Sequence, residues 1–273
     1  RTEFGTKEKA IYLLPRDKRK AVIDALFARF LDTFGFMPAS VGSYILDAWT
    51  MNYLKSAYPR VKAVISNCFE EGVKMFQGNQ KGWFLFSDGG PWGPFYPSRE
   101  SALCPARDAA DANGLVALPH LNRDMIMALV SRDDFFSSHP VNLIRARINE
   151  GGTCAYGDRF VDQWIEQARL NGHSYYSLFV SCPWLSEGNK FVQKVEEARQ
   201  LYTHTLERLR DKVADGDVVS CTMAEFAEAF GQVSQPGEGQ SCHWKDILGQ
   251  TKRETVWHVN SHYRVAIDLN IGG

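Results

Sequence analysis

The feature that most constrains this chain is a repeated change in the spacing of its apolar residues, from every second position to about every 3.6. Residues 15 to 34 set Ile23, Phe27, Phe30 and Phe34 four, three and four apart among Lys and Arg. That spacing predicts an amphipathic helix, opened by Pro15 and stopped by Gly35. Short β-type runs interrupt such segments: ASVGSYI near residue 39, VKAVIS at 61 to 66, GWFLFS at 82 to 87, LVALP at 115 to 119, SYYSLFVS at 174 to 181 and DVVSC from 217. Between them lie LDAWTMNYLKSAY, with Leu46, Trp49 and Tyr53 on one helical face, and a short helix at NRDMIMALVS. FVDQWIEQARL turns Val161, Trp164, Ile165 and Ala168 inward before Gly172, and a long helix from Asn189 to Val213 presents Val195, Ala198, Tyr202, Leu209 and Val213. Thr222-Met-Ala-Glu225 carries the capping-box spacing that opens one more helix.

Six strand-like segments joined by crossovers define an α/β fold built on a parallel sheet. Without a glycine-rich dinucleotide fingerprint, a distorted or incomplete (β/α) barrel is the expected form rather than an open doubly wound sheet. The barrel is expected over residues 1–231. Residues 232–254 read as a linker, and 255–273 alternates like β structure, as a short β-rich C-terminal segment that opens an accessory domain or straps the barrel.

Composition narrows the partners. Among 273 residues, 31 Lys and Arg against 32 Asp and Glu leave a formal charge of −1, so no bulk positive field draws nucleic acid or an anionic membrane. No apolar run approaches the roughly 20 residues of a membrane-spanning helix. The six cysteines, Cys68, Cys104, Cys154, Cys182, Cys221 and Cys242, stand far apart without a Cys-x-x-Cys pair and read as buried small hydrophobes. His258 and His262 have a metal-like spacing, but on the strand their flanks predict they lie about 13 Å apart. No nucleophile elbow, phosphate loop or His-Glu-x-x-His is visible. Opening at Arg1 without an initiator Met, the sequence reads as a processed or excised piece.

In a parallel α/β arrangement reactive groups gather where strands end, because the following loops converge there. That rule selects Asp47, Asp88, His120, Arg123 and Asp124 as catalytic candidates. Trp92, Tyr96, Arg99, Asn122 and Trp184 are the substrate-binding candidates, the first three from DGGPWGPFYPSRES, whose three Gly and three Pro preclude regular structure. Rings in glycine-rich loops beside carboxylates suit carbohydrate: the rings stack on sugar faces, and the carboxylates bond hydroxyls or act as acid and base. Each has a plainer reading: Asp88 starts a turn, His120 sits on a rim, Asp124 begins a helix with Arg123 as ion-pair partner, and His139 orders its own turn.

The runs MPASVGSYILDAWTMNYLKSAYP, VKAVISNC, WGPFYPSRESALCPA, LPHLNRD, YYSLFVSCPWLS and CTMAEFAEAF resemble the polysaccharide deacetylase-like (NodB-homology) proteins, in a bacterial branch, over about residues 15 to 231. The resemblance implies a distorted barrel acting on a carbohydrate or polysaccharide substrate. It also implies a divalent metal, usually zinc, held by one Asp and two His, with a second Asp as base and a late His as acid. The family's opening strand with paired aspartates is absent, VGSYILDAWTMNYL holds no His-x-x-x-His, and the late strand ends Ser181-Cys182-Pro183-Trp184 without the acid histidine. Only Asp47 matches the site by position and chemistry, so the candidate metal set becomes Asp47, Asp124 and His139. The expected function is a carbohydrate-active hydrolase, deacetylase-like or glycosidase-like. The alternative is a catalytically inactive barrel that binds glycan as a module of a larger protein.

Overall fold

The computed structural model describes residues 11, 14–68, 93–119, 124–126, 152–178, 180, 182–188 and 192–270. They divide between two compact units, one of Arg1–His120, Cys221–Gly239 and Asn260–Tyr263, the other of Leu121–Ser220, Gln240–Val259 and Arg264–Gly273.

The first unit opens with α1 (Arg16–Phe34), which follows Pro15 and ends at Gly35, held at φ 75°. Ile23 and Phe27 are buried as the spacing predicts, whereas Phe34 is 57% exposed. The inward stripe instead runs back one turn to Arg19, only 2% exposed. Next come β1 (Ser40–Leu46), α2 (Ala48–Ala57), β2 (Ala63–Cys68) and β3 (Val116–Pro119). The three strands form one parallel sheet in the order β1-β2-β3. All four residues of β3 are buried, as expected of a strand covered on both faces. On α2 the buried residues are Ala48, Thr50, Met51 and Leu54, while Trp49 and Tyr53 stack on each other at 5.7 Å to one side. The face expected to bury Trp49 and Tyr53 is therefore turned by about one residue. The core joins Ile23 and Phe27 to Leu46, Met51, Leu54, Val64, Phe95 and Leu115.

Residues 93–115 contain isolated bridges but no regular element, in keeping with their Gly and Pro content. The last helix of this unit, α5 (Met223–Val233), has both halves of the predicted capping box: Thr222 Oγ1 accepts from Glu225 N, and Glu225 Oε2 accepts from Thr222 N. Beyond it Gly237 is held at φ 97°, and a β-carbon there would lie 2.8 Å from the Arg107 carbonyl oxygen. Backbone on one side and a left-handed conformation on the other leave no room for a side chain. Gly237→Ala is expected to cost about 2 kcal/mol, read from urea unfolding midpoints.

The second unit pairs α3 (Cys154–Asn171) with α4 (Val195–Ala214) and with an antiparallel sheet of β4 (Gln240–Lys245), β5 (Glu254–Val259) and β6 (Arg264–Asp268). Alternation in this sheet follows the pleat: Cys242, Trp244, Trp257 and Val259 are buried and their neighbours are not. On α3 the buried set is Tyr156, Gly157, Phe160, Val161, Gln163, Trp164 and Gln167. Gln163 is fully buried because its amide serves the β4 exit. Its Oε1 accepts from Ile247 N at 2.8 Å and Leu248 N at 3.1 Å, and its Nε2 donates to Lys245 O at 2.6 Å.

Several expectations are corrected. β4 stands inside residues 232–254, where a linker was expected; its apolar positions, Cys242 and Trp244, alternate with polar ones, and that pattern is too short to stand out in a polar stretch. Residues 173–178 carry no ladder and instead lay Tyr176 against Phe160 and Trp164. Residues 217–221 form no strand, and Val219 is 81% exposed, so its β-branched neighbours have no face to bury. Val213, at the exposed end of α4, is 40% exposed. Of the cysteines, Cys242 is buried, but Cys154 and Cys221 are exposed. Strand GWFLFS and the helix expected from Asn122 lie wholly or largely outside the described residues. The described parallel strands make an open three-stranded sheet. No described helix is long and apolar enough to cross a membrane.

Candidate active site at the carboxyl edge of the parallel sheet

Strands that run in one direction end at one edge, and here the register shows which residues are level. Leu46 pairs with Cys68, and Ser66 with Pro119. In sequence the next residues are Asp47 after β1 and His120 through Asp124 after β3. Asp47 is the N-cap of α2 and is fully buried. Its Oδ1 accepts from Thr50 N at 2.8 Å, and its Oδ2 accepts from Arg19 Nη1 at 2.5 Å. The same Arg19 nitrogen reaches Thr50 Oγ1 at 3.0 Å, and Nη2 reaches Leu14 O at 3.2 Å. The guanidinium also lies 5.3 Å from the Trp49 ring centre.

Both Asp47 oxygens are thus engaged, one by a helix terminus and one by a buried cation. A divalent ion at Oδ2 would displace or repel that guanidinium, so Asp47 does not fit the metal set that the resemblance implies. Its geometry is that of a residue that positions the β1–α2 junction.

The other described candidates fall as follows. Tyr96 donates to Ser234 O at 3.2 Å and rests on Phe230, 5.4 Å between ring centres, so it ties the irregular stretch to α5. Desolvation raises its phenol above the ordinary value. Arg99 donates from Nε to Ala112 O at 2.9 Å, and its own carbonyl accepts from Asn52 Nδ2 at 2.8 Å. Both side chains hold the loop together. Beside them Asp111 takes a two-nitrogen fork from Arg107 and a bond from Ser98, which hold its carboxyl down near 2. In the second unit, Asp124 is 4% exposed, and Trp184, in a short 3-10 turn at Cys182–Leu185, is 7% exposed. Tyr96 and Arg99 therefore meet in one loop, on the same unit as Asp47, while Asp124 and Trp184 belong to the other unit. Asp88, Trp92, His120, Asn122, Arg123 and His139 lie outside the described residues. Among the described residues no three His, Cys, Asp or Glu side chains gather as a metal cluster.

Arg19 is the residue that the sequence reading missed. Its signal was a cation one turn before Ile23, on the stripe that Ile23 and Phe27 continue. A second missed group is Asp24, whose Oδ1 accepts from both Tyr53 and Tyr58, the latter at 2.7 Å. Those hydroxyls, Tyr53 first, hold the Asp24 carboxyl below its ordinary value. Burial and then the bond to Asp24 push Tyr53 up to about 12, and Tyr58 rises for the same reasons. A raised folded value means that the tyrosine contribution is whole below roughly pH 10, where the unfolded tyrosine titrates, and is lost as pH climbs toward the folded value. Depressed Asp24 acts at the other end: its contribution is present above roughly pH 4 and fades as pH falls through its folded value. Stability is expected to decline between about pH 10 and 12, and a Tyr53→Phe/Tyr58→Phe variant is expected to show a flatter alkaline limb in denaturant titrations. Equal slopes for the two proteins would contradict this assignment.

Parallel strands that end at one edge, with an irregular stretch bridged to β3 at Phe95 and Ala117, define this unit as α/β. The chain belongs to the family described as "Domain of Unknown Function with solved-structure structure (DUF3863)", whose model matches residues 9–242. Among solved structures it is similar to one from Parabacteroides distasonis named "a putative glycoside hydrolase/deacetylase", at 17% identity and a TM-score of 0.62. The match covers 93% of this chain and 58% of that one, so the chain spans little more than half the length of that structure. At this identity the likeness is one of fold. No significant match is found among curated proteins.

Proposed function

We propose that this chain is a carbohydrate-active hydrolase, with deacetylase-like or glycosidase-like chemistry on a distorted or incomplete (β/α) barrel related to the polysaccharide deacetylases. The observation that carries the reading is the likeness of fold, over 93% of the chain, to a structure named for those two chemistries. The sequence adds a carboxylate-rich and aromatic set at the strand ends: Asp88 and Trp92 after the third expected strand, His120, Asn122, Arg123 and Asp124 after β3. In this proposal the catalytic carboxyl groups come from the strand ends, with Asp88 and Asp124 the candidates that the sequence assigns. One carboxyl group protonates the leaving oxygen or nitrogen, and the other activates water. His120 and Arg123 orient the group under attack, and Trp92, Asn122 and Trp184 hold the sugar. Tyr96 and Arg99 shape the loop from below, and Asp47 positions α2.

The buried Arg19–Asp47 pair favours a second reading, the inactive glycan-binding module, because the one residue that matched the family's metal site by position is committed to structure. Rate measurements separate the two. With a substrate in hand, Asp88→Asn and Asp124→Asn are each expected to lower the turnover number at least about 100-fold with the fold intact by circular dichroism. Glycan binding that survives both changes, in a wild-type chain without turnover, is the result that selects the module.

A further inference from the structure

The middle of α1 is apolar on nearly every side. Across residues 21–31, AVIDALFARFL, nine of the eleven residues are apolar, yet only Ile23 and Phe27 are buried. Ala21, Val22, Ala25, Leu26 and Ala28 are exposed, Val22 at 45% and Leu26 at 58%. A surface helix ordinarily carries charge on its outer face, and one that is apolar all round has that face covered as well. The charges nearer the two ends have the wrong sign for the helix itself. Lys18 stands in the first turn, where the macrodipole favours an acid, and Asp32 in the last turn, where it favours a base. Both are exposed, and among the described residues neither enters an ion pair.

Beside an antiparallel neighbour the same two signs are right, because the positive start of one helix then lies against the negative end of the other. Lys18 and Asp32 stand seven residues either side of Ala25, close to two turns, so the three share one line along the helix. If two copies of α1 pack antiparallel about a twofold axis at Ala25, each Lys18 meets Asp32 of the other copy, and the small side chain on the axis lets the helices approach. Such an axis brings like flanks together, so Val22 and Leu26 of one copy cover Val22 and Leu26 of the other. Arg29, the other charge on this face, has a stem long enough to lie along Val22 while its head stays in water. We propose that α1 is the contact surface of a dimer, antiparallel to α1 of a second copy about that axis. One helix face buries less than a standard interface, so the dimer is weak and concentration-dependent.

Sedimentation velocity over a concentration series of the 273-residue chain tests this, using two charge reversals, Lys18→Glu and Asp32→Lys. Each variant alone sets like charges opposite each other twice and is expected to raise the dimer dissociation constant at least tenfold. Both reversals suit the macrodipole of α1, so each variant is expected to keep the wild-type circular dichroism spectrum. Their equimolar mixture restores two opposite-charge pairs and is expected to recover the wild-type dimer. Leu26→Glu provides a second route: the side chain is exposed in the single chain, so the variant is expected to stay folded and to be monomeric. A wild-type chain that stays monomeric at the highest concentrations would overturn the proposal. So would folded charge variants that dimerise unchanged, a mixture that fails to associate, or a dimer that survives Leu26→Glu and therefore uses another face.

Discussion

Asp47→Ala is expected to lower the unfolding free energy by about 4 kcal/mol, because it removes the buried carboxylate that holds the Arg19 guanidinium at 2.5 Å and strips α2 of its cap. Arg19 is 2% exposed, and Thr50 Oγ1 and Leu14 O, which its guanidinium also meets, are neutral acceptors. A double variant, Arg19→Met with Asp47→Asn, removes both charges and keeps an amide oxygen for Thr50 N. It is expected to recover most of that loss, since apolar replacement of a buried pair is often neutral, with a shortfall of about 1 kcal/mol or less. Urea titrations of the single and double variants make the comparison. Losses that simply add would mean that the pair is not coupled, and the structural role assigned to Asp47 would fall with it.

The second large effect lies in the other unit. Trp244→Ala is expected to cost about 4 kcal/mol, the range of large aromatic deletions from a packed core. Trp244 is 1% exposed on β4 and meets Trp164 of α3 edge to face, 5.3 Å between ring centres at 86°. Trp164 in turn stacks on Tyr176 at 5.7 Å, and Tyr176 meets Phe160 at 5.1 Å. The rings hold the sheet to the helix by area and shape, since among the described residues neither the Trp164 nor the Trp244 indole nitrogen has a hydrogen-bond partner. Trp244→Phe therefore forfeits volume but no hydrogen bond, and less than half of the alanine loss is expected, under about 2 kcal/mol. Equal losses for Ala and Phe would mean that the indole nitrogen, rather than the packing, carries the energy.

What was legible in the sequence follows from how local each signal is. The period of apolar residues marked α1, α3 and α4; Gly35 and Gly172 marked two stops; Thr222 and Glu225 marked a capping box whose two bonds both form. All of these are settled within a turn or two of chain. The strands β1, β2 and β3 were visible as β-branched runs, β2 displaced by two residues because Val61 and Lys62 precede the ladder. DVVSC looked like a strand by composition, but no described residue pairs with it, and a strand exists only by its partner. β4 failed in the opposite sense: Trp257, Thr255 and α3 make it a strand, and none of them is near it in sequence. Asp47 was found as a strand-end carboxylate, yet its role depends on a cation 28 positions earlier that no local pattern connects to it. Tyr96 and Arg99 were chosen for sugar stacking and polar contact, and the structure employs both to fix the loop to Ser234 and Ala112.

The measurement that bears most directly on function is incubation of the chain with a panel of acetylated and unacetylated oligosaccharides, followed by mass spectrometry of the products and titration of the same glycans for binding. A carbohydrate-active hydrolase predicts loss of an acetyl group or cleavage of a glycosidic bond on at least one member, abolished by Asp124→Asn. A panel that is neither changed nor bound at millimolar glycan would contradict both the hydrolase and the glycan-binding module.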